Sequence, residues 1–139
     1  MSFTGVSYLA IAVAAVVGWL IGAVWYGGLF GKPWRAANNI APEAMQARGG
    51  ALPFILAFAA LLVMAWVLAG LLAHLGPGQV TVRNGVISGA FCWLGFVITT
   101  LAVNNSFAGR KPVLTAIDGG HWLVVLAVMG AVLGWFGAK

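Results

Sequence analysis

Two ionisable side chains, Asp118 and His121, stand three residues apart near the start of the last apolar run of this chain. Residues i and i+3 share a helix face, so a carboxylate and an imidazole would stand together there. In a membrane pocket such a pair can pass a proton or hold a small polar ligand. Both belong to "VNNSFAGRKPVLTAIDGGHW", residues 103–122, which also carries Asn104, Asn105, Arg110 and Lys111. A second polar stretch, "AVWYGGLFGKPW" at 23–34, brings Trp25, Tyr26, Lys32 and Trp34, with Arg35 next. The candidate ligand site is therefore Asn104, Arg110, Asp118, His121, Tyr26 and Trp25. An ionised carboxylate at mid-membrane costs roughly 2.5–3.5 kcal/mol on insertion scales unless it is paired. Arg110, His121 or Asn104 is the expected partner of Asp118.

A purely structural account of the same residues is available. Thr115 and Asp118 have capping-box spacing, which would put Asp118 in the first turn of a helix, against the positive end of its dipole. Trp25, Tyr26, Trp34 and Trp122 fall where an aromatic belt would lie. Lys32, Arg35, Arg110 and Lys111 would anchor at headgroups. Asn104 or Asn105 would bond the backbone of a fraying helix end. His74 and Cys92 read as an interfacial residue and a small packing residue.

The elements that must position these groups are set by the composition. The chain has 139 residues, 63% hydrophobic and 6% charged, and a mean hydropathy of +1.04. Soluble domains carry roughly a quarter charged residues. The stretches 1–31, 49–82, 84–109 and 119–138 hold no charge, and each can supply the ~20 apolar residues of a membrane-crossing helix. Lipid gives backbone groups no partners, and unbroken apolar runs without alternation choose helices over a barrel. We expect one all-α domain over 1–139, an up-and-down bundle of four transmembrane helices at about 5–29, 52–75, 84–106 and 117–137. The N-terminal run lacks a basic leader and is too long for a signal peptide, so it reads as a retained helix.

The connection 30–51 is polar enough for an amphipathic loop, in which "PEAMQAR" forms a short helix ended by Gly49 and Gly50. The connection 76–83, "GPGQVTVR", reads as a tight turn. Loops 1 and 3 hold Lys32, Arg35, Arg48, Arg110 and Lys111, against Arg83 and Lys139 on the other side. The positive-inside rule then puts 30–51 and 107–116 in the cytoplasm and both termini outside. The net charge of +5 is dispersed at the ends of apolar runs, which fits anionic headgroups and not nucleic acid.

Small residues recur at four-residue spacing in Gly18 and Gly22, Gly85 and Gly89, and Gly130 and Gly134. Such faces let membrane helices pack closely, within the bundle or between copies. A faint internal echo, "WLIGAVWYGGLFGKP" at 19–33 against "WLGFVITTLAVNNSFAGRKP" at 93–112, hints at parallel repeats. The chain carries no nucleophile elbow, P-loop, dinucleotide fingerprint or zinc motif, so no cofactor is implied.

Together "AVWYGGLFGKPW" and "CWLGFVITTLAVNNSFAGRKPVLTAIDGGHWLVVLAVMGAVLGW" at 92–135 resemble the bacterial membrane proteins grouped as domain of unknown function 1761. The shared features are a Trp-Tyr and "LFGK.W" signature closing the first helix and "GF..TT..VN...F.GR" leading into "ID..H.L". They fall here on Trp25, Tyr26, Phe30, Gly31, Lys32, Trp34, Thr99, Thr100, Asn104, Phe107, Gly109, Arg110, Asp118 and His121. The resemblance implies a small four-helix membrane protein and no particular activity; we expect it in the bacterial inner membrane. This chain departs from the pattern by placing its aromatic, Trp122, after His121.

Three function classes are open. The first, which the sequence favours, is a structural or accessory bundle that self-associates or joins another membrane complex. The second is an oligomeric transporter or channel for a small solute or proton, using Asp118 and His121. The third is a membrane enzyme or headgroup-binding module, with Trp25, Tyr26 and Arg110 on the wall of a pocket between helices 1 and 3. Membrane lipids are partners in all three.

Overall fold

A computed structural model of the chain describes residues 3–48 and 50–138. Among these residues there are helices and no strands, and four helices are long and apolar enough to cross a membrane: Tyr8–Leu29, Leu52–His74, Val82–Phe107 and Pro112–Phe136. They are the first to fourth spans below.

The first span starts later than position 5. Gly5 takes a positive φ of 80° in a turn, and the buried Ser7 then caps α1 (Tyr8–Val24) by accepting from the Ala10 amide at 3.2 Å. The helix widens into a π-helical turn over Trp25–Leu29, closed by the Phe30 amide on the Trp25 carbonyl at 2.7 Å. A separate helix comes next, α2 (Gly31–Ala37), where a loop was expected. Pro33 lies within its first turn, where a missing N–H costs nothing. Asn39, at φ 55°, stops it, with the Ile40 amide reaching the Arg35 carbonyl at 3.0 Å; this is a Schellman-type end. A short α3 (Pro42–Ala47) carries Glu43 in its first turn. Gly49, expected to end it, lies outside the described residues.

The second span is α4 (Leu52–His74). The third is α5 (Val82–Cys92), capped by Thr81, then a second π-helical turn over Trp93–Val97, then α6 (Ile98–Phe107). Gly109, at φ 65°, closes it, letting the Arg110 amide reach the Asn105 carbonyl at 2.9 Å. The fourth span, α7 (Pro112–Phe136), begins at Pro112 and not near 117, because Pro suits the first helical position and Lys111 ahead of it is extended. Asp118 is thereby the seventh residue of the helix. The capping-box expectation fails on this point.

The spans pack in the order second, first, fourth, third, so the fourth lies between the first and the third. Ala14, Ala15, Ala65, Leu68, Val125 and Met129 form the centre of the core shared by the first, second and fourth spans. Gly18 admits Leu61 and Met129, whose atoms would lie 3.0 and 3.4 Å from a Cβ there. The third span meets the fourth backbone to backbone. A Cβ on Gly85 would run into the Gly130 carbonyl, one on Gly89 into that of Leu126, and one on Gly134 into that of Thr81.

Candidate functional site

At the end of the bundle where both basic loops meet, Asp118 projects from α7 toward the first span. Its Oδ1 accepts from the Tyr26 hydroxyl at 2.5 Å and from the Trp34 indole Nε1 at 3.1 Å. Tyr26 lies in the π-helical turn and Trp34 on α2, so both irregular features of this corner carry a ligand of the carboxylate. Among the described residues no lysine or arginine pairs with Asp118, and Oδ2 receives no protein hydrogen bond. The expected partners Arg110, His121 and Asn104 are replaced by two neutral aromatic donors. Asp118 lies six residues beyond Pro112, so the carboxylate sits about 9 Å along the helix axis from its start.

His121 shares that helix face without bonding to Asp118. It is 7% exposed, and its Nδ1 is buried with no hydrogen-bond partner among the described residues. The ring is boxed by Trp122 at 4.7 Å, Tyr26 at 5.0 Å and Trp25 at 6.2 Å between centroids. Gly22 leaves the space that its Nε2 uses, since a Cβ there would stand 3.3 Å away. A buried imidazole with an unsatisfied nitrogen is costly, and such groups in native structures call for an explanation.

Two tryptophans pin α7 on either side of Asp118. Trp25 donates to the Ile117 carbonyl at 3.1 Å and Trp93 to the Gly119 carbonyl at 2.7 Å. Each opens a π-helical turn, one on the first span and one on the third. A π turn inserts one residue into the helical ladder, which rotates the residues beyond it by about 100°. Trp93 was missed by sequence reasoning; its only signal was the echo with the first helix.

The remaining expected site residues lie elsewhere. Asn104 is exposed and its neighbour Asn105, 4% exposed, points inward. Asn105 Nδ2 donates to Thr115 Oγ1 at 3.0 Å, and its Oδ1 accepts from Arg110 Nη1 at 3.5 Å. Arg110 thus joins a second polar group between the third and fourth spans, away from Trp25 and Tyr26. A pocket between the first and third spans is ruled out as its setting, because the fourth span occupies that place. Thr99 and Thr100 are exposed and turn their hydroxyls onto the carbonyls of Gly95 and Phe96. Lys32, Lys111 and His74 are exposed; Arg35 is half-buried, with Nη1 3.2 Å from where a Cβ on Gly31 would stand. Among the described residues no group of three or more His, Cys, Asp or Glu side chains could hold a metal ion.

Searches of curated proteins and of solved structures gave no match. A family model described as "Protein of unknown function (DUF1761)" matches residues 9–134. That span takes in both polar junctions, the two π-helical turns and all but the outermost residues of the four long helices, and the chain belongs to this family.

Proposed function

We propose that the protein is a membrane-embedded accessory bundle that binds a small cation, the proton above all, at Asp118. The observation that carries this reading is a carboxylate within the length of a membrane-crossing helix whose only protein donors among the described residues, Tyr26 and Trp34, are neutral and share one oxygen. No cationic side chain among the described residues pairs with that carboxyl group, and ionisable groups kept within spanning helices mark ion or proton sites by default. The titratable groups around it are Tyr26 on the first span and His121 on its own helix. The aromatic rings beside the carboxylate offer further attraction for a cation.

Binding is favoured over conduction. Beyond His121, residues 122–138 hold no ionisable side chain, so the polar chemistry stops on one side of the bundle. Contact between copies through glycine faces also loses support, because Gly85, Gly89, Gly130 and Gly134 are occupied within the chain. The five-to-two distribution of Lys and Arg supports placing the Asp118 end on the cytoplasmic side of an inner membrane. Labelling of single cysteines in loops 1 and 3 from either side tests that placement.

Infrared difference spectroscopy on the protein in lipid nanodiscs tests the site. The sequence holds only one other acidic side chain, Glu43, so the carboxyl signal is assignable. A pH-dependent protonated-carboxyl band should appear in the wild type, persist in Glu43→Gln and vanish in Asp118→Asn. If the band is unchanged in Asp118→Asn, the proposal fails.

A further inference from the structure

An open groove of about 560 Å³ runs between the third and fourth spans at the same end of the bundle. Ile98 and Ala102 on one helix and Ala116 on the other give it an apolar floor, and Ser106, Thr115 and Arg110 complete the lining with polar groups. The small side chains of Ala102 and Ala116 make the room. Arg110 is exposed, but its guanidinium is held from one side by Asn105, which Thr115 fixes in turn. Only one of its five N–H donors is used there, and the rest of the fork is free to take a second acceptor.

The chain offers no acid for that purpose. It holds two acidic side chains: Asp118 is bonded to Tyr26 and Trp34, and Glu43 lies on α3 in the other basic loop. Lys111 adds a second cation beside the groove and has no acid partner among the described residues either. A planar guanidinium matches the oxygens of a phosphate, and the floor below it suits hydrocarbon. We infer that this groove binds one anionic phospholipid, with its phosphate on Arg110 and an acyl chain between the third and fourth spans. The inference does not rest on the Asp118 site, whose residues Asp118, Tyr26 and Trp34 line no part of the groove.

Native mass spectrometry of the detergent-solubilised protein tests it, with phosphatidylglycerol and phosphatidylcholine offered in equal amounts. The wild type should retain phosphatidylglycerol about fivefold more than phosphatidylcholine, the preference that one cation near anionic lipid supplies. Arg110→Gln should remove most of that preference, leaving what Lys111 supplies, and Ala102→Leu, which fills the floor, should weaken both. Lys32→Gln, an exposed cation remote from the groove, should leave the ratio unchanged. Soluble glycerol 3-phosphate at matched concentration should displace neither lipid, because it lacks the chain. Equal retention of the two lipids by the wild type would overturn the inference. So would an equal shift in Arg110→Gln and Lys32→Gln, which indicates diffuse surface charge, or full displacement by glycerol 3-phosphate, which indicates a site for the free phosphate.

Discussion

Among the described residues Asp118 Oδ1 is shared by two donors while Oδ2 receives none, and this asymmetry separates a structural role from a binding one. In Asp118→Asn the side-chain oxygen can still accept from Tyr26 and Trp34, and the new amide nitrogen takes the place of the oxygen that had no protein donor. We expect its unfolding midpoint in detergent to stay close to that of the wild type. Tyr26→Phe, by contrast, removes a hydrogen bond to a charged group and should cost about 1.5–3 kcal/mol. If Asp118→Asn loses as much stability as Tyr26→Phe, the carboxylate is acting as a structural pin and not as a binding group. The residue types of this site were legible in the sequence, but their partners were not. Trp34 reaches Asp118 across 84 positions, and nothing local marks it as more than an aromatic near a membrane surface. Asn104 and Asn105 differ by one position, about 100° on a helix, and that step separates an exposed side chain from a buried one. An apolar helix has no polar face by which sequence could tell which way it turns.

The glycines divide by what a Cβ would meet. At Gly85 and Gly130 it would strike the facing backbone, which cannot swing aside as a side chain can. Gly85→Ala should therefore separate the third span from the fourth, measured as loss of a cross-link between cysteines placed on the two helices. Gly95, within the second π-helical turn, has open space around its Cβ position. Gly95→Ala should be neutral or stabilising by up to about 1 kcal/mol. Equal damage from the two substitutions would mean that helix propensity, and not close approach, decides. Trp93→Phe removes the bond to the Gly119 carbonyl and should cost about 0.5–1.5 kcal/mol, read as a lowered unfolding midpoint. The π-helical turns had no sequence signature, because an unbroken apolar run reads alike in an α and a π ladder. The internal echo did point to paired tryptophans, though to Trp19 against Trp93. The structural equivalents are Trp25 and Trp93, each opening a π turn and each donating to α7.

Four charge-free runs made the number of spans legible, whereas their lateral order was not, since all four are apolar enough to face lipid. That order has a mechanical consequence. The third span is peripheral: 6% of its most apolar stretch is buried, against 44% of the fourth's, and Phe91, Phe96 and Phe107 are 71%, 75% and 92% exposed. Its hold on the bundle is mainly its contact with the fourth span. The first, second and fourth spans instead share one core around Met129 and Leu68, side chains with almost no exposed surface. Regions with fewer buried contacts open at lower free energy than the core, so sodium dodecyl sulfate titrated into mild detergent micelles should release the third span first. Distance reporters placed across the third and fourth spans should separate at lower denaturant than reporters across the first and second. Met129→Ala, which leaves a cavity in the shared core, should lower the later transition, and Gly89→Ala the earlier one. A single transition seen by both reporter pairs, and shifted alike by both variants, would show that the four helices unfold as one unit and that the lateral order carries no hierarchy of stability.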